Sequence, residues 1–208
     1  MRMSREKSII YAARLMSMLF TPFYLPLFGL IILFTLSYLA LLPISYRLQI
    51  VVLVYLFTIL LPTCLIHVYR RYQGWNLIEL GHRERRMVPY VVSILCYFCC
   101  AGLLTWLGVF HFVVSILMAA LLVQIVCAII NVWWKISTHT AAIGGVAGAL
   151  FAFAEIFGFN PVWWLCLVLV VAGMLGSARI ILRQHSLAQV VAGFFVGFLC
   201  AAIGILFL

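Results

Sequence analysis

Two histidines, one arginine and one glutamine carry the chemistry this chain of 208 residues offers. Arg179 stands six positions before His185, and Gln189 follows His185 by four. Four positions are one helical turn, so the Gln189 amide shares a helix face with the imidazole and can orient it. His139 follows Ser137 and Thr138, two residue types that cap helix N-termini. A helix starting there turns its positive end and its first N–H groups toward an incoming anion. Carboxylates are scarce: the chain has no aspartate, and its glutamates are Glu6, Glu79, Glu84 and Glu155. Glu155 lies about 24 Å along its helix from His139 at 1.5 Å per residue, near the other membrane face. A cationic site with histidine but no acidic ligands suits a phosphate ester better than a magnesium or zinc centre, because arginine forks onto phosphate oxygens. The expected chemistry uses no metal and no cofactor.

The elements that position these residues follow from composition. Hydrophobic residues make up 68% of the chain and charged residues 8%, against about 25% charged in a soluble domain. The apolar residues come in runs near the ~20 needed to cross a bilayer, not in the short alternating segments of an outer-membrane barrel. The expected fold is therefore an all-α, polytopic transmembrane helix bundle with six to seven spans, forming a single integral membrane domain over residues 1–208. Breaks at proline, glycine and charged residues delimit apolar stretches near 9–42, 48–69, 88–107, 111–134, 139–157, 161–182 and 185–208. The first is kinked or broken at Pro22 and Pro26, and its opening part, residues 9–20, reads either as part of a span or as an interfacial helix. The basic N-terminus precedes an apolar stretch but no small-residue cleavage site, so it is expected to stay in the mature chain. The seven cysteines all fall in apolar runs and read as small buried hydrophobes rather than disulfide or zinc partners.

Counting crossings puts residues 70–86, 135–139 and 177–189 on one membrane face, joined by the N-terminus if each region before Arg70 crosses once. Twelve of the thirteen Lys and Arg residues then share that face and only Arg47 lies opposite. Positive short loops stay cytoplasmic, which makes this the expected cytoplasmic face of a bacterial inner membrane. The net charge of +9 sits in these short loops, so lipid phosphate, rather than nucleic acid, is the expected anionic partner. His67, His82 and His111 read as locally satisfied histidines, and Arg70 and Arg71 as snorkelling anchors.

Ser177-Ala178-Arg179, five residues, His185, three residues, Gln189 and a following Gly193 and Gly197 resemble the third motif of the type-2 phosphatidate phosphatases, Ser-Arg-x5-His-x3-Asp. Ile136-Ser137-Thr138-His139 is similar to that family's second motif, Pro-Ser-Gly-His. The stretch from Arg83 to Pro89 stands where its first, Lys-x6-Arg-Pro, should be. The family is typically a six-helix bundle hydrolysing lipid phosphates; the resemblance in order and topology runs over roughly residues 70–208, and the implied phosphatase-like core is about residues 47–208. It implies that His185 attacks phosphorus to form a phosphohistidine, that His139 protonates the leaving oxygen and that Gln189 orients the nucleophile. It further implies that Arg179, Arg83, Arg86, Lys135, Ser137 and Thr138 bind the phosphoryl group, with Lys135 a substitute for the missing first-motif lysine.

The departures from the family's pattern are specific. Gln189 replaces an aspartate, Ala178 is inserted, Thr138 replaces a glycine, and no lysine stands seven residues before a first-patch arginine. An amide can fix the imidazole tautomer but does little to stabilise positive charge on the ring. A phosphatase acting on a lipid phosphate or diphosphate is the leading expectation. A lipid phosphotransferase and a non-catalytic lipid-phosphate-binding membrane protein are the alternatives. Gly144 and Gly148, and Gly193 and Gly197, form two GxxxG patterns on the helices that carry His139 and His185, and such patterns let helices pack closely. Trp133 and Trp134 read as an interfacial belt that sets the site at headgroup depth.

Overall fold

The computed structural model describes residues 5–74 and 87–207, all of whose regular elements are helical. Helix α1 runs over Arg5–Leu19 and α2 over Leu25–Leu36, followed by one 3-10 turn at Tyr38–Leu41. Six longer helices follow: α3 (Ile44–Tyr72), α4 (Met87–Trp106), α5 (His111–Trp133), α6 (Thr138–Phe157), α7 (Val162–Ile181) and α8 (Leu187–Phe207). Each of the six is 20 to 29 residues long and apolar enough to cross a bilayer. The protein is thus an all-α polytopic bundle of membrane-spanning type.

The first apolar stretch is broken where proline requires it. Pro22 lies in the gap between α1 and α2, and Pro26 lies in the first turn of α2, where a missing N–H costs no hydrogen bond. Neither helix alone reaches the ~20 residues of a span, at 15 and 12 residues. The segment from Ser17 to Phe34 nevertheless joins the two ends of the bundle. Ser17 touches Arg179 near the end of α7, Phe20 and Leu25 pack with Ile143 and Leu175, and the Phe34 carbonyl accepts from Arg47 in the first turn of α3. Tyr46, beside Arg47, meets Phe110 at the start of α5 with ring centroids 6.4 Å apart, which fixes that level as the end of the bundle away from Arg179. Within α3, the turn Leu56–Leu60 widens to a π-helix just before Pro62. The proline ring would clash with the carbonyl four residues earlier, that of Thr58, and the wider turn relieves it.

The core is set by α6 and α8. A methyl added at Gly144 or Gly148 would strike the Phe194 or Phe198 backbone, and one at Gly197 would strike the Ala141 backbone. At Gly193 it would meet the Ser137 carbonyl and the Thr140 hydroxyl, each at 2.6 Å. Both glycine patterns therefore face each other, and the helices touch backbone to backbone. Since lipid is as apolar as a core, such dispersion contacts, not hydrophobic burial, favour helix association in a bilayer. Exposed tryptophans ring both ends, Trp133 and Trp134 at one and Trp106 and Trp163 at the other, as expected of residues at the membrane interfaces. The cysteine reading needs correction: Cys96, Cys100 and Cys127 are buried, but Cys64, Cys99 and Cys166 face outward. Lipid accepts a small apolar thiol as readily as the core does, so an apolar run does not say which way its cysteines point.

Gly197→Ala is expected to destabilise the bundle by about 1–3 kcal/mol, since the methyl meets backbone that cannot swing aside. Gly173→Ala on α7, where nothing lies within 4 Å of the added carbon, should be neutral or up to about 1 kcal/mol stabilising. Thermal unfolding of the two purified variants checks this, and equal melting behaviour contradicts the packing account.

Candidate functional site

The site end of the bundle gathers the end of α7, the turn that follows, and the first turns of α6 and α8. Helix α7 stops through a Schellman arrangement: the Gln184 N–H donates to the Arg179 carbonyl at 3.1 Å and the Arg183 N–H to the Ile180 carbonyl at 2.8 Å. The residue that reverses the chain is Arg183, at φ 53°, a left-handed conformation usually left to glycine and costing a residue with a Cβ roughly 1 kcal/mol. The turn delivers His185 two residues later, only 6% exposed.

Helix α8 then begins with Ser186-Leu187-Ala188-Gln189, a capping box. The Gln189 N–H donates to Ser186 Oγ at 3.4 Å, and the Ser186 N–H donates back to Gln189 Oε1 at 3.2 Å. His185 Nδ1 lies 3.1 Å from the same Oε1. One contact decides the meaning of the other. The Ser186 N–H is a donor only, so the atom it meets must be the amide oxygen, and an oxygen can hold Nδ1 only if Nδ1 carries the proton. The neutral ring is then the Nδ1–H tautomer, with the lone pair on Nε2.

Ser137 caps α6, its Oγ accepting from the Thr140 N–H at 3.4 Å, while the Thr140 hydroxyl donates to the Ser137 carbonyl at 3.1 Å. Thr138 is therefore the first helical residue and not the cap. The Ser137 N–H donates to the Gln189 carbonyl at 3.4 Å, which ties the start of α6 to the first turn of α8. This tie and the Gly193 contact bring Ser137, Thr138 and His139 to the end of the bundle that holds His185 and Gln189. Thr138, His139 and Lys135 are half-buried and Ser137 is fully buried. By accepting from the Thr140 N–H, the Ser137 hydroxyl oxygen shapes the helix start.

Arg179 is 6% exposed, and its Nη1 donates to Ser17 Oγ on α1 at 2.6 Å. Ser177, the serine of the stretch that resembles the third motif, is exposed, whereas Ala178 and Arg179 are buried. Arg83 and Arg86, the expected first-motif cations, lie outside the described residues, as does His82. Arg70 Nη2 stands 3.4 Å from His67 Nδ1, a local pairing on the last turn of α3. Among the described residues no three His, Cys, Asp or Glu side chains converge as a metal site.

Sequence reading missed two contributors. Ser186 had a visible signal, the Ser-x-x-Gln pattern, whereas Ser17 had none, because 162 residues separate it from Arg179. No protein-family model matches the chain, and no curated protein or solved structure matches it either.

The double use of Gln189 Oε1 gives a measurable signature. Nitrogen-15 NMR of histidine-labelled protein should find the neutral His185 ring protonated on Nδ1, and Gln189→Ala should lose that preference together with about 1 kcal/mol of stability from the broken cap. Gln189→Glu keeps both acceptor contacts and should keep both properties. A wild-type ring protonated on Nε2 would contradict the arrangement.

Proposed function

We propose that this protein hydrolyses a lipid phosphate or diphosphate at the membrane interface through a phosphohistidine on His185. The observation that carries the reading is the tautomer lock: Ser186 N–H and His185 Nδ1 share one amide oxygen, which leaves the Nε2 lone pair as nucleophile. It is reinforced by Arg179 six residues earlier and by the start of α6 tied to Gln189.

In this reading the Nε2 lone pair forms an N–P bond as the P–O bond to the lipid breaks, and His139 supplies the proton that the departing oxygen takes. Arg179, with Arg83, Arg86 and Lys135 as further cations, balances the charge on the phosphoryl oxygens, aided by the positive end of α6 and the groups of Ser137 and Thr138. Water then attacks phosphorus and gives a proton to His139, the N–P bond breaks, and inorganic phosphate leaves with both histidines restored. After attack the ring carries positive charge, which Gln189 orients but does not neutralise. The reaction is accordingly expected to be slower than with a carboxylate at that position. Transfer of the phosphoryl group to a second lipid would use the same intermediate. The duty of Gln189 in the capping box favours a second reading, a non-catalytic lipid-phosphate-binding protein in which the glutamine serves the helix alone.

Loss of His185 should abolish reaction with every substrate. His139→Ala should lose about 10² to 10⁴-fold with a lipid alkoxide leaving group and far less with p-nitrophenyl phosphate, whose departing oxygen needs no proton. Steady-state rates for both variants on both substrates check the roles. Equal losses throughout overturn the assignment, and wild-type turnover in His185→Ala removes the phosphohistidine.

The site is proposed to face the cytoplasm of a bacterial inner membrane, supported by Arg14, Arg70, Arg71, Lys135 and Arg183 at the site end, with Arg47 opposite. An impermeant thiol reagent applied to intact cells, with the outward-facing native cysteines replaced, should leave Gln73→Cys unlabelled. Strong labelling would reverse the orientation.

A further inference from the structure

Helix α1 stands apart from the six long helices, yet it packs on α7 and ends one of its buried contacts on the guanidinium expected to hold phosphate. Ala13 and Ser17, one helical turn apart, form its buried face, and Arg14 between them is exposed. Ser17 is 8% exposed and Arg179 6%, so their 2.6 Å hydrogen bond is screened from bulk solvent. The only proton acceptor Ser17 offers from its side chain is a neutral hydroxyl. A carboxylate there would offset the charge of the guanidinium, whereas a hydroxyl holds one of its N–H groups without adding negative charge. Ser177, the local serine that the motif would offer for this purpose, is exposed.

We propose that Ser17 is a positioning residue for the anion site: α1 docks on α7 so that the Ser17 hydroxyl aims Arg179 at the phosphoryl oxygens. The N-terminal helix is thus part of the phosphate-binding machinery and not only a membrane anchor. The serine acts through Arg179, holding one of its five N–H donors so that binding need not order a free side chain. The inference rests on Arg179 being a phosphoryl ligand, as in the function proposed above.

The test uses the full-length protein in detergent, with inorganic phosphate as the probe and its effect on melting temperature as the readout of binding. Ser17→Ala should weaken phosphate binding about tenfold, the scale of a hydrogen bond to a charged group. Ser17→Thr, which keeps the hydroxyl, should restore it to within about twofold. On a lipid phosphate, Ser17→Ala should raise KM far more than it lowers kcat. If Ser17→Ala lowers the melting temperature without phosphate but binds phosphate as the wild type does, while Arg179→Ala binds none, Ser17 is structural only; the proposal fails and the site reading stands. If Arg179→Ala binds phosphate as tightly as the wild type, or the wild type binds none, the site reading fails and takes this inference with it.

Discussion

Backbone contact between α6 and α8 is the constraint from which the site end follows. Gly144 and Gly148 on one helix and Gly193 and Gly197 on the other leave room for the opposing main chain, and a Cβ at any of them would overlap it. Helices held that closely have little freedom in register. The fixed register sets the Ser137 N–H on the Gln189 carbonyl at 3.4 Å, which brings the start of α6, with His139 in its first turn, to the turn that carries His185. A pair of helices separated by ordinary side chains would leave those two starts loosely related.

Gln189 couples that scaffold to His185. Its side-chain oxygen satisfies an N–H at the start of α8 and the Nδ1 proton of His185 together, while its main-chain oxygen accepts from Ser137. One residue therefore caps a helix, selects a tautomer and joins two helices. The glutamine chain is one methylene longer than aspartate, and that length is what lets it reach back to the Ser186 N–H. What it lacks is charge, so it orients the imidazole without balancing positive charge on the ring. The left-handed Arg183 before it adds a small strain that the Schellman hydrogen bonds and the packing of Ala178 offset.

Features governed by helical periodicity were legible from sequence, and features governed by distant contact were not. The four-residue step from His185 to Gln189 and the two glycine patterns are each confined to one helix, where spacing dictates a shared face. The six long helices followed from run length alone. The break at Pro22 was visible, but not that the segment from Ser17 to Phe34 joins the two ends of the bundle, since that depends on Ser17 meeting Arg179 and Phe34 meeting Arg47. The lipid-facing Cys64, Cys99 and Cys166 show the same limit, because apolar core and apolar lipid leave the same mark on a sequence. The cap was legible too: Ser137 stands before the helix, and its hydroxyl oxygen accepts from the Thr140 N–H.

The arrangement is proposed to cleave a phosphate ester of a lipid rather than merely to hold one. Release of inorganic phosphate from a panel of purified lipid monophosphates and diphosphates, presented in mixed micelles to the wild-type protein, tests it most directly. Steady release from at least one member of the panel, dependent on protein concentration, is the expected result. Binding of those lipids with no phosphate released from any of them would contradict the proposal, and would leave a lipid-phosphate-binding protein in place of an enzyme.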